Sequence, residues 1–204
     1  MLQLLLQHLI FFILNRCCII ISLGRDTGNE VAVTFYGGEP LLKFDLLKYA
    51  VEYSLKLMGD RKLTFSTTSN LTLMTKEMAE FIASIDGFTL LCSIDGPKEI
   101  HDKHRKYPSG KDSFEDAMRG LHFLVDAYKS RYGDEYKAKA SNRINFNSVF
   151  TPPYSTEKVN NIQIFFDEMS DFLPLDSMKN ITYPEEGSLP HEACAFCDGK
   201  LRHY

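Results

Sequence analysis

Val31-Ala32-Val33-Thr34-Phe35-Tyr36-Gly37-Gly38-Glu39-Pro40-Leu41-Leu42 is a short β-type run that halts on two glycines, a glutamate and a proline. Val31, Val33 and Phe35 supply the β-branched and aromatic content of a buried strand. Gly37-Gly38 then admits backbone conformations and a close ligand approach that a Cβ would forbid. Pro40 lacks an N–H and suits the first turn of a following helix. A ligand across the carboxyl end of this strand would meet backbone carbonyls, amides and one carboxylate, a lining suited to an ammonium group. Taken alone, the same residues also make an ordinary strand-to-helix turn.

The pattern repeats on the carboxyl side. Leu42 to Met58 reads as a helix closed by Gly59-Asp60, and Leu63 to Thr67 as a strand. Thr75 caps a helix to about Ser84, and Phe88 to Ile94 is a strand ending at Asp95-Gly96-Pro97. A polar, basic loop from Lys98 to Lys111 precedes a long helix from Ser113 to about Tyr132 and a strand from Ile144 to Phe150. Thr151-Pro152-Pro153 breaks that strand, Ser155 or Thr156 starts a helix to about Phe172, and Ile181 begins a short strand. Upstream, Met1 to Leu23 is very apolar, but Gln3, Gln7, His8, Asn15 and Arg16 interrupt it and no basic region precedes it. Leu2, Leu5, Leu6, Leu9, Phe12 and Ile13 recur at helical spacing. The stretch reads as a buried helix, rather than a membrane anchor, leading through Gly24 to Gly28 into the first strand. Strands alternating with helices predict a parallel α/β fold, part of a (β/α) barrel with four to five parallel strands.

Composition narrows the partners. A net charge of −4 over 204 residues gives no electrostatic case for nucleic acid, so a polyanion is not expected. Cys17, Cys18, Cys92, Cys194 and Cys197 form an odd, sparse set, which points to a reducing cytoplasm; only Cys194-x-x-Cys197 has metal-ligand spacing.

The polar residues of interest fall just after strands, where ligands sit in parallel α/β architectures. They are Gly37-Gly38-Glu39, Thr68-Ser69-Asn70, Ser93 with Asp95, and the region of Asn145, Asn147 and Pro152-Pro153. Each also has a bland reading: Thr68 to Asn70 as turn formers, Asp95 as a turn residue, and His101, Asp102, His104 and Arg105 as a solvated loop.

Three of these segments carry a resemblance. Thr34 to Leu42, Thr68-Ser69-Asn70-Leu71-Thr72-Leu73-Met74-Thr75, and Ser93-Ile94-Asp95-Gly96-Pro97-Lys98-Glu99-Ile100-His101-Asp102 with Arg105 look like successive signatures of radical S-adenosylmethionine enzymes. More narrowly, they resemble the peptide maturases and anaerobic sulfatase-maturating enzymes that carry a SPASM-type auxiliary cluster. The resemblance covers about Asp26 to Phe172. It implies a radical SAM (β/α) barrel, S-adenosylmethionine and a 4Fe-4S cluster as cofactors, and a peptide or protein substrate. It assigns Gly37, Gly38 and Glu39 to the methionyl amino group, with Pro40 shaping the turn, and Ser93 and Arg105 to further cofactor contacts. Asn70 and Asp95 sit at the same face, against cofactor or substrate.

The departures matter equally. The family holds its cluster on a Cys-x-x-x-Cys-x-x-Cys loop after the first strand, and this chain has none. Cys17-Cys18 are adjacent and fall on the apolar face of the expected helix, where they read as buried thiols. Cys194 and Cys197 look like the start of an auxiliary-cluster region, with two surface thiols as the alternative. Residues 1–190 are thus expected to form an incomplete barrel, truncated at both ends, and 191–204 the start of a SPASM-like region. Three classes stay open: a peptide-modifying radical enzyme of which this is the middle piece, a catalytically silent binder of S-adenosylmethionine or peptide, and a decayed pseudo-enzyme.

Overall fold

The computed structural model describes residues 20–23, 30–58, 62–173 and 179–182. Six strands form one sheet in chain order: β1 (Ile20–Leu23), β2 (Glu30–Tyr36), β3 (Lys62–Ser69), β4 (Phe88–Ser93), β5 (Ile144–Val149) and β6 (Lys179–Thr182). From β2 to β6 every neighbouring pair is parallel, with Phe35 beside Thr67, Ser69 beside Cys92 and Ser93 beside Asn147. The connections are helical. A 3-10 turn, Pro40–Lys43, enters α1 (Phe44–Met58); α2 (Lys76–Ser84) joins β3 to β4; α3 (Lys98–His104), α4 (Phe114–Tyr132), the 3-10 turn Gly133–Glu135 and α5 (Tyr136–Ala140) join β4 to β5; α6 (Thr156–Met169) follows β5. This is the expected parallel β/α arrangement.

Three local expectations are corrected. Ile20–Leu23, read as the end of a helix, is a strand antiparallel to β2, with Ile20 opposite Tyr36 and Leu23 opposite Val33. Residues 24–29 are too few for a parallel crossover, so the chain folds straight back, and β-branched Ile20 and Ile21 favour an extended backbone. The rest of the expected N-terminal helix, including Cys17 and Cys18, lies outside the described residues. The stretch Lys98 to Lys111 is not wholly loop, because α3 fills its first half, supported by the Lys98–Asp102 pair at i, i+4 (2.7 Å). Residues 133–140, left unassigned between helix and strand, form a 3-10 turn and α5.

The strands are two-faced. Val31, Val33, Phe35, Leu63, Phe65, Phe88, Leu90 and Phe146 are buried in one continuous core with residues of the helices. Phe35, Phe65 and Phe88, one from each of three adjacent strands, form a three-membered aromatic cluster in which every pair of ring centroids lies 6.0–6.5 Å apart. The alternate positions, Thr34, Ser66, Thr68, Thr89 and Asn147, are only half-buried, and Tyr36 is exposed. A parallel sheet covered by helices on both faces would be apolar on both. Among the described residues helices cover one face and the other presents hydroxyls and amides, as the concave side of a partial barrel does. No helix among the described residues is long and apolar enough to cross a membrane.

Candidate functional site

The turn after β2 is held by its own glutamate. Glu39, 8% exposed, caps the Pro40–Lys43 turn by accepting from the Leu41 amide (3.1 Å). The same carboxylate accepts from Ser69 Oγ (2.9 Å) and from the Asn70 amide (2.9 Å), both at the end of β3. Charge-assisted hydrogen bonds of this kind are about twice as strong as neutral ones. Glu39 therefore staples two neighbouring strand ends together. Pro40 lies in the first turn and is buried, as its missing N–H suggests. The glycines differ from expectation in one respect: neither Gly37 nor Gly38 has a positive φ, so the turn does not require glycine for its conformation. What Gly38 supplies is room, for a Cβ built there meets nothing within 4 Å.

Asn70 forms an Asx turn, its Oδ1 accepting from the amide (3.0 Å) and hydroxyl (2.8 Å) of Thr72. Leu71 follows with φ of 64° and is fully buried, an uncommon conformation for a non-glycine residue. Ser69 Oγ accepts from its amide (2.9 Å) while donating to Glu39, which fixes this corner.

Ser93, the last residue of β4, is 8% exposed, and Asp95, 3% exposed, organises the next loop. Asp95 Oδ2 accepts from Arg105 Nε (2.7 Å) and its Oδ1 from the Val149 amide at the end of β5 (2.9 Å). The Asp95 carbonyl accepts from Ser148 Oγ (3.0 Å). Asp95 thus ties Arg105 to the end of β5. The rest of α3 departs from the solvated-loop reading: His101 and Asp102 are buried. Burial holds His101 below its ordinary imidazole value, Asp95 and Asp102 opposing the shift and Arg105 and Lys98 adding to it. Burial alone would raise Asp102, but the hydrogen bonds from Lys98 and from the Phe114 and Ser113 amides outweigh it and hold the carboxyl low. Through those amides (2.9 and 3.0 Å) Asp102 caps α4.

Sequence reasoning brought out Gly37, Gly38, Glu39, Pro40, Asn70, Ser93, Asp95 and Arg105; the structure sets Gly37 to Pro40 after β2, Asn70 after β3, Ser93 as the last residue of β4, Asp95 just beyond it and Arg105 at the end of α3. It missed His101, Asp102 and Ser113. The last of these reads locally as a helix cap, which concealed that its hydroxyl donates to the Arg105 carbonyl instead (2.7 Å).

Gly38 leaves open space beside it, Ser93 carries a nearly buried hydroxyl and Arg105 a cation paired with Asp95, the group types that a small zwitterion would need. An iron–sulfur cluster does not fit the described residues, among which no three His, Cys, Asp or Glu side chains are grouped to hold a metal. Cys92 is fully buried on the helix-covered face, and burial pushes its thiol far up, away from the thiolate a cluster needs. Cys194 and Cys197 lie outside the described residues.

Comparison with known proteins agrees with this geometry. A family model described as the radical SAM superfamily matches residues 20–134. A serine-type anaerobic sulfatase-maturating enzyme of Bacteroides thetaiotaomicron is 34% identical over 119 residues, 58% of this chain and 27% of that enzyme. An uncharacterized protein of Methanothermobacter thermautotrophicus is 33% identical over 179 residues, 85% of this chain and 61% of that protein. Among solved structures, native anSMEcpe with bound AdoMet and Kp18Cys peptide superposes with a TM-score of 0.63 at 24% identity, over 82% of this chain and 44% of that one. The chain therefore spans less than two thirds of the length of each.

Proposed function

The chain belongs to the radical SAM superfamily, and from that premise we propose that it carries the S-adenosylmethionine-binding part of a maturase that modifies a peptide or protein. The methionyl ammonium lies against the backbone of Gly37-Gly38, Ser93 meets ribose hydroxyls, and Arg105 meets the carboxylate. Glu39, Pro40, Asn70 and Asp95 hold those groups in place. The observation that carries this reading is the open space at Gly38, beside a turn that Glu39 pins to β3. Affinity then comes from a preformed rim rather than from a loop that must order on binding. The peptide partner is supported by the sulfatase-maturating relative. The sparse cysteines favour a reducing, cytoplasmic setting.

In this family the cluster supplies the electron that cleaves S-adenosylmethionine. These 204 residues contain no Cys-x-x-x-Cys-x-x-Cys, so the polypeptide as written binds without cleaving. A catalytically silent binding module is the second reading, favoured by the same cysteine pattern. Isothermal titration with S-adenosylmethionine tests the site. The wild type binds weakly, and Gly38→Val loses binding while folding normally, because a Cβ at this position meets nothing within 4 Å among the described residues. Equal binding by both removes Gly38 from the site. After anaerobic iron–sulfur reconstitution no 5′-deoxyadenosine is formed; its production above a blank overturns the binding-only reading.

A further inference from the structure

Asp95, His101, Arg105 and Ser113 close a ring of hydrogen bonds whose direction can be deduced. Ser113 Oγ lies 2.7 Å from the Arg105 carbonyl, which only accepts, so the single hydroxyl proton points there. Ser113 Oγ must then accept from His101 Nε2 (3.2 Å), which fixes the neutral imidazole with its proton on that nitrogen. The other ring nitrogen, Nδ1, accepts from the Asp95 amide (3.4 Å), and the Asp95 carboxylate accepts from Arg105 Nε (2.7 Å). The circuit runs Asp95 to His101 to Ser113 to Arg105 and back to Asp95.

Two facts separate it from ordinary loop packing. Ser113 is the residue before α4, yet its hydroxyl makes no capping bond to the helix; it donates to the Arg105 carbonyl, while Asp102 accepts from the Ser113 and Phe114 amides. A serine at a helix start that leaves capping to another residue has its hydroxyl committed elsewhere. The ring also grips Arg105 twice, at its carbonyl and at its guanidinium, and of the four members Arg105 alone is appreciably exposed, its side chain at 26%.

We propose that His101 and Ser113 are positioning residues for Arg105, fixing where its guanidinium stands at the rim of the site. Neither touches the ligand; both act through the ring. The inference rests on the assignment of Arg105 to the ligand carboxylate, and its tests separate the two.

The first readout needs no ligand. In the full 204-residue chain labelled with nitrogen-15, the Arg105 Nε–H signal is slow to exchange with solvent. Ser113→Ala and His101→Asn bring it to the rate of an exposed arginine, while Ser113→Thr, which keeps the hydroxyl, preserves it. Circular dichroism confirms that each variant is folded. An Arg105 signal as protected in Ser113→Ala as in wild type overturns the proposal. The second readout is S-adenosylmethionine affinity in a double-mutant cycle. Ser113→Ala weakens binding about fivefold in the wild-type background and has no further effect once Arg105 is alanine. Equal losses in both backgrounds overturn the positioning role. If Arg105→Ala binds as well as wild type, the assignment of Arg105 to the ligand fails, and the exchange rates still decide whether the ring holds the side chain.

Discussion

His101 is buried as a neutral base, and its lowered proton affinity links this one residue to stability. An unfolded histidine titrates near pH 6.5, so above about that value both states carry neutral imidazole and the residue contributes no pH dependence. As the pH falls below it the unfolded chain takes the proton first, and stability is lost until the pH passes the lower folded value, where the loss levels off. A second proton would have to sit on Nδ1, facing the Asp95 amide, itself a donor. Asp102, also lowered, acts elsewhere: its contribution is present above the ordinary carboxylate range and is lost only at more acid pH. Urea midpoints measured between about pH 7 and pH 5 should therefore fall in wild type more steeply than in His101→Asn; parallel curves would refute this. From sequence, Asp95 was legible as a rim residue because it follows a strand, whereas Arg105 entered only through the family resemblance and otherwise read as part of a solvated loop. Their bond to each other, and the burial of His101 between them, were not legible, because His-Asp-Lys-His in a basic stretch has the composition of a solvated loop and the short α3 offers too few turns for an apolar stripe.

The long helix α4 approaches the sheet end unusually closely through Gly120. A Cβ there would lie 2.2 Å from the Leu71 carbonyl oxygen and 2.9 Å from Met74 Cβ, with no flexible side chain at the first contact to move aside. Alanine favours a helix over glycine by about 1 kcal/mol, but the carbonyl it would strike belongs to the left-handed Leu71, whose turn is fixed by Ser69 and Asn70. The clash should win, and Gly120→Ala should destabilise by about 2 kcal/mol net, read as a lower thermal midpoint. A rise in that midpoint would show that α4 shifts freely. The helix itself was plain from its periodicity, and Thr75, and Ser155 or Thr156, were legible as helix starts because capping is a local matter, Thr75 and Ser155 making the side-chain caps. Gly120 carried no such signal, since a single glycine in a helical pattern says nothing of what stands opposite. β1 was lost for a related reason: apolar residues at helical spacing upstream ran without punctuation into Ile20–Leu23, and only the short return to β2 decides its form.

Across the whole molecule, cohesion and recognition are divided between the two faces of one sheet. Phe65 lies in the three-membered aromatic cluster, whereas Ser66, next in sequence, faces the open side and shares a 2.8 Å hydrogen bond with Thr34. Phe65→Ala should cost about 3–5 kcal/mol in urea unfolding and Ser66→Ala about 1 kcal/mol or less. Comparable losses would mean that both faces are packed. The alternation of strands with helices made the parallel sheet legible from sequence, but the open face was not, since Val31-Ala32-Val33 and Leu90-Leu91-Cys92 read as continuous apolar runs. The two-residue period has a consequence for descent. Odd and even positions of a strand answer to different demands, so mutation can redraft the open face while its neighbours in the chain keep the fold intact. A lineage built on this sheet is free to exchange what it recognises one alternate residue at a time, without passing through an unfolded ancestor.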